Sequence, residues 1–292
     1  MLALTPFVPH DLETLTRAYP PGAIDAAIHA NTAKRFNRIE DVQTSRLRYA
    51  VGDVEVTGVL LEPATRQAGA HPLLIFNRGG NGDYGLVAVP LILRYLLPFA
   101  QAGYLVLASN YRGNDGGTGT EEFGGADVAD VLTLLDIGQQ HPGWDGRNRF
   151  MFGASRGGMM TYLAIKQGAA LNAAATFGGV SDLAAMGEYR PEMVERVYKR
   201  RFTAGSTDLA GAYAMRSAIG WPEALTRVPL LLAHGTADTT VPPSQSEALA
   251  ERLAALQAPH KLVLYEGGNH ALSAHSAALI QEVQSWFKHY MK

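Results

Sequence analysis

A serine, an aspartate and a histidine follow one another along the chain, each just past an apolar run. Ser155 stands in Gly153-Ala154-Ser155-Arg156-Gly157, Asp238 in His234-Gly235-Thr236-Ala237-Asp238, and His270 in Glu266-Gly267-Gly268-Asn269-His270. A serine hydroxyl is a weak nucleophile until a general base takes its proton, and an imidazole serves best when a carboxylate fixes its tautomer. The separations, 83 residues from Ser155 to Asp238 and 32 from Asp238 to His270, leave room for one strand–helix unit between acid and base. A G-x-S-x-G between a strand and a helix forces the serine onto a strained turn with its hydroxyl exposed. Its neighbours two before and two after must be small, because the two backbones nearly touch there. The Arg156 amide, at the helix start, then points where an oxyanion would form.

Each role has rivals. His275 lies in the run toward the C-terminal helix and is a weaker base candidate than His270. His234 ends a buried strand and reads as a hydrogen-bonded structural histidine. Asp182, after the strand that precedes a long insertion, is the alternative to Asp238. His10, His29, His71, His141, His260 and His289 have no partner spacing and read as surface residues. Neither an HExxH spacing nor any cysteine is present, so no metal site is expected.

Gly80-Asn81-Gly82-Asp83-Tyr84-Gly85 is a literal G-x-G-x-x-G after a strand and before an apolar helix, the dinucleotide fingerprint. An oxidoreductase binding NADP there would use Ser109, Asn110 and Arg112 as a 2′-phosphate site. Against it, the next strand ends in no acidic residue for a ribose, and the serine, aspartate and histidine motifs go unexplained. The glycine-rich stretch Gly113 to Gly125 lacks the Lys-Ser/Thr of a P-loop.

The elements that must position these residues are legible as short, continuous apolar runs: Pro72–Phe76, Tyr104–Ala108, Arg149–Gly153, Ala173–Phe177, Pro229–Ala233 and Lys261–Tyr265. Continuous rather than alternating hydrophobicity predicts strands buried on both faces of a parallel sheet. Helical patterns fall between them, over about Ile92–Ala102, Ala126–Gln139, Gly157–Lys166, Ser244–Leu256 and Ala274–Tyr290, which predicts a doubly wound, mostly parallel sheet with helices on both faces. Ser45–Leu61 alternates around Gly52 and Asp53 and reads as an antiparallel hairpin at the sheet edge. Residues 1–44 read as a helical N-terminal extension to a catalytic domain over 45–292. Residues 183–222 form a helical cap or lid insertion, with Met193, Val194, Val197 and Tyr198 on one side of a helix after Pro191. Leu86–Ala108 is about long enough to span a bilayer, but Pro90, Arg94, Pro98, Gln101 and Gly103 interrupt it, so a buried helix and strand are expected.

Composition agrees: 292 residues, 47% apolar and 18% charged, can bury a substantial core, and a formal charge of −2 gives no electrostatic reason to bind nucleic acid or an anionic membrane. The segment Met1–Leu15 lacks the basic and apolar regions of a signal peptide, which leaves the cytoplasm as the expected compartment.

Taken together, Ser155 in GASRGG, Asp238 in HGTAD and His270 in GGNH resemble the α/β-hydrolase superfamily. The stretch Asn110-Tyr111-Arg112-Gly113-Asn114-Asp115-Gly116-Gly117, followed by Glu121-Glu122-Phe123-Gly124-Gly125-Ala126-Asp127-Val128-Ala129-Asp130-Val131, is similar to the catalytic domain of the prolyl oligopeptidase family. The resemblance covers about Val51 to the C-terminus and implies a Ser155–His270–Asp238 triad transferring an acyl group to water. Large members carry an N-terminal β-propeller, for which this chain has no room. Members also place Tyr or His before a small pair in the oxyanion loop, where this chain has Arg78 before Gly79-Gly80. The expected oxyanion hole is therefore the Arg156 amide plus a donor from the Arg78–Asn81 loop: a backbone N–H, at Gly79 or Gly80, or the Arg78 guanidinium. Arg78 could equally pair with a carboxylate. Tyr84, Tyr198 and Trp221 are the candidate substrate contacts, with Met193, Phe202 and Met215 able to shape an apolar pocket. The expected substrate is a small ester or a short peptide and no cofactor is called for; a homo-oligomer is compatible. A catalytically silent hydrolase-fold binding protein is the non-enzymatic alternative.

Overall fold

A computed structural model describes residues 2–65, 67–202 and 208–292. Nine strands form a single sheet: β1 (Ala3–Pro6), β2 (Val42–Val51), β3 (Val54–Pro63), β4 (His71–Asn77), β5 (Leu105–Ser109), β6 (Trp144–Ala154), β7 (Ala173–Phe177), β8 (Leu230–Gly235) and β9 (His260–Tyr265). Their spatial order is β1-β2-β3-β5-β4-β6-β7-β8-β9. β1, β2 and β3 pair antiparallel, β3 also runs antiparallel to β5, and from β5 to β9 every pairing is parallel. All six apolar runs are strands, within one or two residues at most ends. β6 is the exception: it extends back to Trp144, which pairs with His71 across a register shift.

The alternation of side chains explains why these strands look continuously apolar. Along β4, Leu73 and Ile75 pack on one face and Leu74 and Phe76 on the other. The first face is covered by the helices Val128–Gln139, Arg156–Lys166 and Ser244–Ala255, the second by a helical run over 89–101 and the helix Ser276–His289. The interrupted Leu86–Ala108 segment is that buried run, with a π-helical stretch at Ile92–Leu96 just before Pro98, followed by β5. No described helix is long and apolar enough to cross a membrane.

Two expectations at the N-terminus need correction. Residues 1–44 are not purely helical. They begin with β1, which pairs with β2 from Ala3↔Arg48 to Pro6↔Ser45, before the helices Leu12–Ala18 and Ala26–Phe36. β1 is therefore the sheet edge, and the β2–β3 hairpin lies one place inside it. Four residues containing a proline carry little strand signal of their own, and only pairing to β2 makes them a strand.

The chain leaves β4 toward β5 on one side and returns to β6 on the other. That reversal opens a crevice beyond the carboxyl ends of β4 and β6, where α/β sheets place their sites. Arg78 and Gly79 follow β4, and Ser155 follows β6.

Candidate active site

Ser155 sits between β6 and the helix Arg156–Lys166 at φ 55°, ψ −123°, a conformation that costs a non-glycine residue on the order of 1–3 kcal/mol. The surrounding glycines show what holds it there. A Cβ on Gly153 would lie 2.3 Å from the Gly157 carbonyl oxygen, and one on Gly157 would lie 1.9 Å from the Asn77 carbonyl oxygen. Strand and helix thus approach to backbone contact, and the serine between them has no relaxed alternative. Its amide donates to the Phe177 carbonyl at 2.9 Å.

Asp238 and His270 lie on loops after β8 and β9. His270 Nδ1 is 2.7 Å from Asp238 Oδ2, while the other carboxylate oxygen accepts from the amides of Thr240 and Val241 at 2.8 and 2.9 Å. Burial alone would raise the Asp238 pKa. Hydrogen bonds from His234 and His270, with the Val241 amide, outweigh that and hold the carboxyl far below its ordinary value. An ionised Asp238 keeps the His270 proton on Nδ1 and leaves Nε2 as the basic nitrogen. The His270 ring packs on Gly178: a Cβ there would lie 3.1 Å from it. Ser155 and His270 therefore both border the Phe177–Gly178 turn. Among the described residues no hydrogen bond joins the Ser155 hydroxyl to His270.

The rivals have other roles. Asp182 caps the helix Leu183–Tyr189, accepting from the amides of Ala184 and Ala185. His275 precedes the C-terminal helix and packs on Tyr265. His234 is buried as expected, with Nδ1 2.7 Å from Ser246 Oγ, but its Nε2 also reaches Asp238 Oδ2 at 3.1 Å.

Arg78 is the largest departure. Its guanidinium faces neither Ser155 nor a carboxylate. All five of its N–H groups donate to backbone carbonyls: Nε and Nη2 to Asn110, Nη1 to Gly79 and Tyr84, and Nη2 to Gly82, at 2.7–3.1 Å. A fully buried cation with every donor used has none left for an oxyanion. The same contacts dispose of the dinucleotide reading. A phosphate loop turns amides inward, whereas the 80–85 turn sends carbonyls onto a guanidinium. Ser109 and Asn110 are buried in this network, and Arg112 is paired with Asp130.

Gly79 borders Ser155: a Cβ there would sit 3.0 Å from Ser155 Cβ and 3.6 Å from its Oγ. The Arg156 side chain runs the other way, into the protein. It pairs with Glu121 and Asp127, donates to the Gly80 carbonyl at 3.0 Å, and lies 4.6 Å from the Tyr111 ring centroid. Glu121 also takes Arg201 at 2.5 Å and the Gly82 amide at 2.7 Å, tying three segments together. A polar cleft of about 290 Å³ opens beside them, lined by Asp83, Asn114, Thr120, Glu121 and Arg201 among others. Sequence reasoning did not single out Glu121, Asp127 and Tyr111 as site residues. They lie in the 110–131 stretch that carries the family resemblance, which was the signal available.

The candidate substrate contacts separate. Tyr84 is half exposed on the loop after β4. Tyr198 is buried, stacked on Phe202 and edge-on to Tyr213. Trp221 lies 4.1 Å from Lys166 Nζ, near the end of an 11-residue helix that starts beside Ser155, roughly 15 Å along its axis. Met215 is exposed, and Phe202 is buried against Phe123 and Tyr198. Residues 203–207 of the expected cap lie outside the described residues.

A mostly parallel sheet wound in this order, with a serine at a positive-φ strand–helix turn, defines an α/β-hydrolase, and the chain is an enzyme, a serine hydrolase of the peptidase kind. The prolyl oligopeptidase family model matches residues 94–292, and the chain belongs to that family. An uncharacterized peptidase YtmA of Bacillus subtilis is 30% identical over 85% of this chain and 95% of its own length. Dipeptidyl-peptidase 5 of Porphyromonas gingivalis is 24% identical over 96% of this chain but 42% of its own. Among solved structures, an acylaminoacyl peptidase of Pyrococcus horikoshii superposes with a TM-score of 0.72 at 22% identity, covering 89% of this chain and 44% of that one. A puromycin-hydrolyzing peptidase of Mycobacterium tuberculosis gives 0.64 at 26%, covering 81% and 37%. The chain thus spans less than half the length of these three longer relatives.

Proposed function

We propose that this protein hydrolyses short peptides through an acyl-enzyme on Ser155, with His270 as general base and acid and Asp238 as its orienting carboxylate. His270 Nε2 takes the hydroxyl proton as Ser155 attacks the carbonyl, then passes it to the departing amine. Water, deprotonated by the same nitrogen, releases the acyl group. Asp238 stabilises the imidazolium in both steps. The developing oxyanion is bound by the amide of Arg156, a first-turn N–H with no intrahelical acceptor, and by the amide of Gly79 beside the serine. Residues 183–222 serve as a cap, anchored by the Arg201–Glu121 pair.

The observation that carries this reading is the 2.7 Å His270–Asp238 bond, set on the same Phe177–Gly178 turn that holds the strained Ser155. A short peptide is favoured over a simple ester because the relatives are named peptidases. Activated esters should also acylate the serine, since they demand less of the leaving group. The test compares wild type with Ser155→Ala on p-nitrophenyl esters and on proline-containing aminoacyl anilides. Turnover of both, with labelling by a fluorophosphonate, is expected from wild type only. An alanine variant with wild-type turnover would refute the assignment, and turnover of esters alone would make the protein an esterase.

A further inference from the structure

Three successive carbonyls at the start of the oxyanion loop are each held by a side chain. The Arg78 carbonyl accepts from the Tyr111 hydroxyl at 3.0 Å, the Gly79 carbonyl from Arg78 Nη1 at 3.0 Å, and the Gly80 carbonyl from Arg156 Nη1 at 3.0 Å. In a trans peptide the carbonyl of one residue and the N–H of the next point in opposite directions, and the described chain contains no cis peptide. Holding the Arg78 carbonyl therefore aims the Gly79 N–H away from Tyr111. Gly79 is also the residue whose Cβ would come within 3.6 Å of the Ser155 hydroxyl.

Tyr111 is itself fixed from every side. It is fully buried at φ 62°, its amide donates to Ser109 Oγ at 2.9 Å, and the guanidiniums of Arg78 and Arg156 lie 5.0 and 4.6 Å from its ring centroid. The Arg78 carbonyl also lies over Gly157, where a Cβ would be 2.8 Å from it. A hydroxyl so constrained has one acceptor, and that acceptor sets one peptide plane.

We propose that Tyr111 is a positioning residue for catalysis: its hydroxyl, through the Arg78 carbonyl, turns the Gly79 N–H toward the place where the oxyanion forms. The inference rests on the acyl-enzyme reading above. It also gives the Asn-Tyr-Arg-Gly stretch a physical task. Asn110 supplies the carbonyl that receives two Arg78 donors, Tyr111 holds the peptide, and Arg112 anchors the turn to Asp130.

Tyr111→Phe removes one oxygen and keeps the ring. Losing an oxyanion donor typically costs ~10²–10³ in rate, and misaiming one should cost part of that, about tenfold or more. The expected result, per active site titrated, is a fall in kcat on an activated ester with KM changed less than about threefold. Affinity for a peptide boronic acid, whose serine adduct is tetrahedral, should fall by the same factor as kcat. Placing 4-aminophenylalanine at position 111, which restores a donor, should recover most of the loss. A kcat within about twofold of wild type would overturn the proposal, as would a loss in kcat without a matching loss in boronate affinity. Titration by active site keeps the comparison valid if part of the variant misfolds. Ser155→Ala is run alongside. If it retains turnover, the acyl-enzyme reading fails; if it is inactive while Tyr111→Phe is unimpaired, only the positioning role fails.

Discussion

His234 Nε2 lies 3.1 Å from Asp238 Oδ2, the same oxygen that His270 Nδ1 reaches at 2.7 Å. Its Nε2 also faces the Val241 carbonyl at 2.9 Å, and Nδ1 faces the Ser246 hydroxyl. Two acceptors on one side and a hydroxyl on the other place the proton on Nε2, so His234 donates to Asp238 and draws charge from it. His234→Phe keeps the ring and removes the donor. The carboxylate then interacts more strongly with protonated His270, and the acid limb of kcat/KM should move to higher pH. Unmatched buried groups at Ser246 and Val241 should cost about 1–3 kcal/mol in stability. A pH–rate profile checks the first effect and denaturant unfolding the second.

Asp238→Asn should lower kcat by roughly 10⁴, the loss expected when the orienting carboxylate of such a triad becomes an amide. The same substitution has a signature in stability. Asp238 is held far below its ordinary pKa of 3.8, so between about pH 5 and that depressed value the unfolded chain binds the proton the folded one refuses. Wild-type stability falls as pH drops through this window. The asparagine variant should show a shallower fall, measured as Tm against pH.

Arg156, Glu121 and Asp127 are all buried, and Arg156 joins the other two. Asp127→Ala leaves Arg156 Nη2 and the amides of Gly124 and Gly125 without their buried acceptor, though Glu121 still pairs with Arg156, and should destabilise by about 3 kcal/mol. Lys199→Ala breaks an exposed pair with Glu195 one helical turn away and should cost no more than about 0.5 kcal/mol. Urea unfolding of the two variants side by side tests the contrast.

Glycines 157 and 79 should fail differently. A methyl on Gly157 would meet the Asn77 carbonyl at 1.9 Å, backbone against backbone, so Gly157→Ala should not yield folded protein. Gly79→Ala brings its closest contact to 3.0 Å from Ser155 Cβ. It should fold but crowd the nucleophile, with kcat on small esters reduced by more than about tenfold. Circular dichroism and ester turnover separate the two outcomes.

The six parallel strands and the loops that hold Ser155, Asp238 and His270 were legible because both-face burial writes itself into sequence as unbroken apolar runs. A nucleophile on a strand–helix turn also demands small neighbours at fixed offsets. Arg78 was not legible. Composition shows a cation near a glycine-rich loop, but nothing in a sequence says that four carbonyls will converge on it. Tyr198 and Trp221 failed for a related reason. An aromatic in a long insertion can line a pocket or fill a core, and only packing against Phe202 and Lys166 decides which. β1 was missed because a four-residue strand exists through its partner, not through its own pattern.

That short strand has a practical consequence. Ser45–Arg48 of β2 would otherwise present unpaired backbone groups along one border of the sheet, an invitation to other chains to add on. Trimming the protein to a catalytic domain that starts at β2 would bare this border. A fragment beginning near residue 45 should self-associate even if its hydrolytic machinery is intact, so the leading segment belongs in any shortened form meant to stay monodisperse.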